Sequence, residues 1–125
     1  MRKFLLHVLI ISFVFLLAPA CDVAKTVEEI EIEIEDAKEE VRKNPDDASA
    51  HNNLGNAYHK SGRYEEAIES YKQAIRIKPD DAKAHCKLSI AYLMLNDRGS
   101  ALEQYKILKN LDTELANKLF NKIYK

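Results

Sequence analysis

The sequence predicts an all-α chain, a solenoid of helix-turn-helix units, and three observations predict it. The phrase NPDDASAH at residues 44–51 returns as KPDDAKAH at residues 78–85, an offset of 34 residues. A fixed period of that length marks stacked supersecondary units. The 125 residues hold only 3 Gly and 3 Pro, too few for the frequent turns of a β fold. Beyond residue 22, apolar residues recur at steps of three and four, the spacing of one helix face.

The first element, MRKFLLHVLIISFVFLLAPA, reads as a signal peptide over residues 1–20. Arg2 and Lys3 precede an apolar run from Phe4 to Leu17, and Ala18-Pro19-Ala20 supplies small residues for cleavage. A run of about 14 residues is short of the roughly 20 a spanning helix needs. Cys21 follows directly, and a cleaved chain that begins with Cys resembles a bacterial lipoprotein, which implies lipid on that thiol and a membrane-anchored place in the cell envelope. The alternative is ordinary A-x-A cleavage, leaving a soluble periplasmic or secreted protein. Without Arg2 and Lys3 the chain carries 17 basic and 20 acidic residues, a net charge of −3, which gives no electrostatic case for nucleic acid.

Residues 21–44 form the lipidation Cys plus an acidic amphipathic capping helix. The stretch EIEIE invites a strand, but Val23, Val27, Ile30, Ile34, Ala37 and Val41 keep helical steps over a longer span, so a helix is expected at 24–43. Eight of the thirteen residues from Glu28 to Glu40 are acidic, the pattern of a solvated face.

Residues 45–125 make up the repeat domain. Pro45 and Pro79 end the helices before them, and the Asp pairs that follow can cap the next helix starts. Between them stand Leu54-Gly55, Tyr58, Gly62, Tyr64, Ala67, Tyr71, Ala74 and Pro79. This set resembles the tetratricopeptide repeat (TPR), with units at about 48–81 and 82–115. Gly55, Ala67 and Ala74 fall where helix backbones approach closely, while Leu54, Tyr58, Ile68, Tyr71 and Ile75 fill the space between helices. His51 and His85 stand where the family usually has Trp, and both are expected as packed rings. The second unit keeps Leu88, Tyr92, Ala101 and Tyr105 but has Ser89 for the Gly, Asn96 for the turn Gly, Arg98 for the turn aromatic, Leu108 for the second Ala and Thr113 for the Pro. A C-terminal solvating helix at 114–124 carries Leu115, Leu119 and Ile123, with Thr113 able to cap it. The full set of expected helices is 24–43, 47–60, 64–77, 81–95, 98–111 and 114–124.

The resemblance implies a concave groove that binds a peptide or partner protein, lined by the first helix of each unit. Helical spacing gathers Ser49, Asn52, Asn56 and His59 on one such helix, and Lys83, Cys86, Ile90 and Leu93 on the next. The partner-binding residues expected are Asn52, Asn56, His59, Lys83, Lys87, Ile90 and Leu93. Asn53, Asn56, Lys83 and Lys87 also resemble part of the carboxylate clamp with which one TPR subclass grips a peptide C-terminus. No catalytic constellation, cofactor motif or metal-ligand spacing stands in recognisable context, so the chain reads as a non-enzymatic scaffold. A self-associating envelope module, a homo-oligomer built end to end or through the acidic helix, is the alternative.

Overall fold

The computed structural model describes residues 26–125; the signal segment at 1–20, Cys21 and Val23 lie outside them. Among the described residues there are six α-helices and no strand. The first, α1, runs Val27–Lys43. Thr26 caps it, forming with Glu29 a reciprocal capping box in which each side chain accepts from the other's backbone N–H at 3.3 and 3.2 Å; residues 24 and 25 of the expected span lie outside the described residues. Val27, expected in the apolar stripe, is 77% exposed in this first turn, while Ile34 is fully buried and Ile30 and Ala37 pack beside it.

The remaining helices are α2 Ala48–Lys60, α3 Tyr64–Ile77, α4 Ala82–Met94, α5 Arg98–Leu111 and α6 Thr113–Tyr124. Each packs against the next, and α6 also reaches back to α4. No helix among the described residues is long and apolar enough to cross a membrane.

The repeated phrase builds the same joint twice. Asp47 and Asp81 accept backbone N–H bonds from Ser49 at 2.8 Å and Ala84 at 3.2 Å, capping α2 and α4. One turn later His51 and His85 donate through Nε2 to the carbonyls of Pro45 and Pro79, both at 2.8 Å. The imidazole therefore holds the extended Pro segment against the helix it introduces. His85 is buried and has a second contact, Nδ1 to Gln104 Oε1 at 2.8 Å.

Within each unit the turn needs a left-handed residue, supplied by Gly62 at φ 77° and, at the same place 34 residues on, by Asn96 at φ 60°. At the join of α5 and α6, Asp112 both closes α5 and caps α6, its side chain accepting from Leu115 N at 2.9 Å. The expected cap, Thr113, is instead the first residue of α6. Asp112 is the better cap because its backbone is extended, which turns its carboxylate onto the open N–H groups of the new helix.

The interior divides in two. Ile34, Ala57, Tyr58, Ala67, Ile68, Tyr71, Leu88 and Ala91 pack together under α1 to α4. Leu108, Ala116, Leu119 and Ile123 form a second cluster where α6 closes onto α5 and α4. Two departures of the second unit have structural uses. Ser89 is buried and its hydroxyl donates to Ala101 O at 2.9 Å, bridging α4 to α5 where the first unit has only Gly55. Arg98 reaches across to donate to the carbonyl of Ile123, tying the start of α5 to the last turn of α6.

Candidate partner-binding groove

Helices α2, α4 and α6 are equivalent when counted from their first residues. The seventh positions are Leu54, Leu88 and Leu119, and the eighth are Gly55, Ser89 and Phe120. Two clefts lie side by side along the face these helices share. The first, about 130 Å³, is lined by Asn56, His59, Tyr71, Lys87 and Ile90. The second, about 240 Å³, is lined by Cys86, Ile90, Leu115, Lys118, Leu119 and Lys122. Ile90 is the wall between them.

The structure thus brings Asn56, His59, Lys87 and Ile90 of the expected set into one cleft. Asn56 is held there because its Oδ1 accepts the Tyr71 hydroxyl at 2.9 Å. Burial pushes the Tyr71 phenol up to about 12, so it stays a donor. His59 stands edge-on to Tyr64, ring centroids 5.3 Å apart, and its Nε2 is buried without a hydrogen-bond partner. Burial, and then the positive charge of Lys122, hold its pKa below the usual histidine range, so the ring is neutral near pH 7. Lys87 is half-buried and, among the described residues, forms no ion pair; burial lowers its pKa, with Asp81 opposing the shift. Lys83 is exposed at the rim.

Three expected residues sit otherwise. Asn52 donates to Asp81 Oδ2 at 3.0 Å, so it pins α2 to the cap of α4. Leu93 packs into the second apolar cluster, where α6 takes the contact that the sequence assigned to a partner. Asn53, of the clamp-like set, is exposed. Cys86 is a free thiol on the wall of the second cleft, its pKa raised by burial.

Leu115, Lys118 and Lys122 were not anticipated as groove residues. Their signal was the register of TELANKLFNKIY on AKAHCKLSIAYL at an offset of 31 rather than 34 residues, which identifies α6 as another first helix. The three-residue difference arises because Asp112 alone stands where Lys78-Pro79-Asp80-Asp81 precede α4. Away from the groove, a more open crevice of about 360 Å³ is lined by Leu54, Tyr58, Ser70 and three glutamates, Glu65, Glu66 and Glu69. The two surfaces therefore differ in sign. Among the described residues, no three His, Cys, Asp or Glu side chains gather as metal ligands would.

Family profiles described as TPR repeat and tetratricopeptide repeat match residues 55–96 and 37–69. No curated protein matches the chain. Among solved structures, the second TPR domain of human RPAP3, in complex with the HSP70 peptide SGPTIEEVD, is 25% identical with a TM-score of 0.71, covering 78% of this chain and 83% of that one. The TPR2AB domain of yeast Sti1 in its pHSP90 complex is 22% identical with the same TM-score, covering 78% of this chain. MamA AMB-1 is 27% identical with a TM-score of 0.64 over 69% of this chain. The chain spans 41% of the Sti1 domain and 51% of MamA. The chain carries TPR repeats and folds as a TPR-type helical solenoid.

Proposed function

We propose that this chain is a non-enzymatic scaffold, exported and held at a membrane of the cell envelope by lipid on Cys21, that grips an acidic segment of a partner protein in the groove of α2, α4 and α6. The observation that carries the binding reading is Lys87. Among the described residues its half-buried ammonium, though it feels Asp81, has lost part of its hydration and gained no ion pair, and a ligand carboxylate supplies one. Asn56 and His59 stand beside it, Lys83 adds charge at the rim, and Ile90 leads to the apolar floor of the second cleft, made by Leu115 and Leu119 under Lys118 and Lys122. The ligand that suits this order has a carboxylate over the first cleft and an apolar side chain in the second. The peptides SGPTIEEVD and SRMEEVD, held by RPAP3 domains of similar fold, are of that acidic kind. The anchor rests on the basic, apolar and small-residue order that ends at Cys21.

A labelled SGPTIEEVD peptide is a suitable probe by fluorescence anisotropy. It is expected to bind saturably, more weakly at higher salt, and Lys87→Glu is expected to lose at least tenfold, since a charge-assisted hydrogen bond is worth about 1.5–3 kcal/mol. Equal binding by Lys87→Glu overturns the groove reading. For the anchor, wild type is expected in the membrane fraction of a bacterial host and Cys21→Ser outside it. An unmodified Cys21 at the N-terminus by mass spectrometry replaces that reading with the soluble exported form.

A further inference from the structure

We infer that the outward face of α6 is a self-recognition surface through which two copies of the chain pair antiparallel into a closed dimer. Position makes the face distinctive. The eighth residue of α2 is Gly55, where an added Cβ would stand 2.5 Å from Tyr71 of α3, and the eighth of α4 is Ser89, bonded to the backbone of α5. Both are small because another helix lies against them. The eighth residue of α6 is Phe120, 43% exposed, with only the Tyr105 ring of α5 beside it in place of a helix packed across it among the described residues. A phenyl ring there prevents a further helix from approaching as closely as α3 approaches α2, so the face is not shaped for another repeat helix.

It is shaped for an aromatic contact. Phe120 and Tyr124 are 43% and 58% exposed with ring centroids 4.4 Å apart, and Tyr105 of α5 extends the patch, 5.9 Å from Phe120. Exposed aromatics gathered in this way are the usual anchors of protein interfaces. Thr113, Asn117, Phe120 and Tyr124 follow each other at steps of four, three and four, so they form one stripe, small and polar at its start, large and aromatic at its end.

That gradient decides the occupant and its direction. A second α6 laid antiparallel, crossing between residues 120 and 121, sets Tyr124 over the partner's Asn117 and brings the two phenyl rings together at the centre. Large side chains meet small ones at both ends. The charges agree: Glu114, which in its own helix pairs with Lys118, comes beside the partner's Lys125, which has no ion pair among the described residues. Parallel pairing would instead stack Tyr124 on Tyr124 and Asn117 on Asn117. A two-fold contact of this kind uses the same patch on both copies, so assembly stops at two.

The test is sedimentation velocity on the full chain in mild detergent across a concentration series, then cysteine cross-linking in a Cys21→Ser, Cys86→Ala background. A monomer–dimer equilibrium without higher species is expected, with Tyr124→Ser or Asn117→Arg raising the dissociation constant at least tenfold and leaving the circular-dichroism melt in place. Asn121→Cys should cross-link to itself. Thr113→Cys should not, because antiparallel pairing holds the two copies of residue 113 roughly 22 Å apart at 1.5 Å per residue. A monomer at every concentration overturns the proposal and leaves the face to a different protein. Mass climbing beyond the dimer, a dimer indifferent to both substitutions, or self-linking at 113 equal to that at 121 also overturns it.

Discussion

At Gly55 a Cβ would stand 2.5 Å from Cε1 of Tyr71, and the ring cannot retreat freely because Asn56 holds its hydroxyl. Gly55→Ala is therefore expected to destabilise the chain by about 1–3 kcal/mol through overpacking, read as a lower urea midpoint. Tyr71 also sets an alkaline limit. Its phenol ionises near 10 in the unfolded chain and near 12 in the fold, so stability should fall as pH rises through that window, and Tyr71→Phe should flatten the fall. His59 sets the opposite limit. Its depressed pKa means the unfolded ring takes a proton first, so stability should decline as pH drops below about 6.5, less steeply in His59→Gln. The close contact at Gly55 was legible in the sequence, because a Gly between Leu54 and Tyr58 on a packed face has little other reason to be there. The Asn56–Tyr71 bond was not: it joins residues 15 apart through two side-chain rotamers that no periodicity encodes.

The helices themselves were legible in the spacing of apolar residues, and their ends less so. Ends depend on which side chain reaches the open N–H groups, and a one-residue choice such as Asp112 over Thr113 turns on backbone angles. Thr26-x-x-Glu29 was a readable start that the longer apolar stripe obscured. Arg98 shows how an apparent loss of pattern can hide a gain, since the departure from an aromatic at that turn places a guanidinium on the carbonyl of Ile123. Arg98→Ala is expected to loosen the last turn of α6, seen as faster hydrogen exchange from Leu119 to Tyr124, and to cost about 1.5–3 kcal/mol. An unchanged exchange pattern would deny Arg98 that role. At the other turn, Asn96→Gly should stabilise by up to about 1 kcal/mol, because glycine adopts the left-handed backbone without a Cβ penalty.

Across the whole molecule, stability is shared between two apolar clusters, and α6 closes the second. Deleting residues 113–125 removes the fully buried Leu119 and Ile123, each worth about 1.5–3 kcal/mol, and bares Ile90 and Leu93. Such a chain should melt at a lower temperature and bind a dye for exposed apolar surface. A melt like that of wild type would show that α4 and α5 do not need this cover. Half of the groove was readable from α2 and α4; the other half was hidden because α6 follows at an offset that breaks the 34-residue period. The matching histidine-to-proline bonds of the joints at Pro45–His51 and Pro79–His85 carry a consequence for growth. Each joint carries its own proline carbonyl, aspartate and imidazole, and a tandem copy of residues 45–78 also brings an Asn52 to meet the aspartate of the joint after it. A gene duplication within this stretch, or a designed one, lengthens the array by one unit and the groove by one cleft. The chain can thus acquire reach for a longer partner in a single step, without re-evolving a turn.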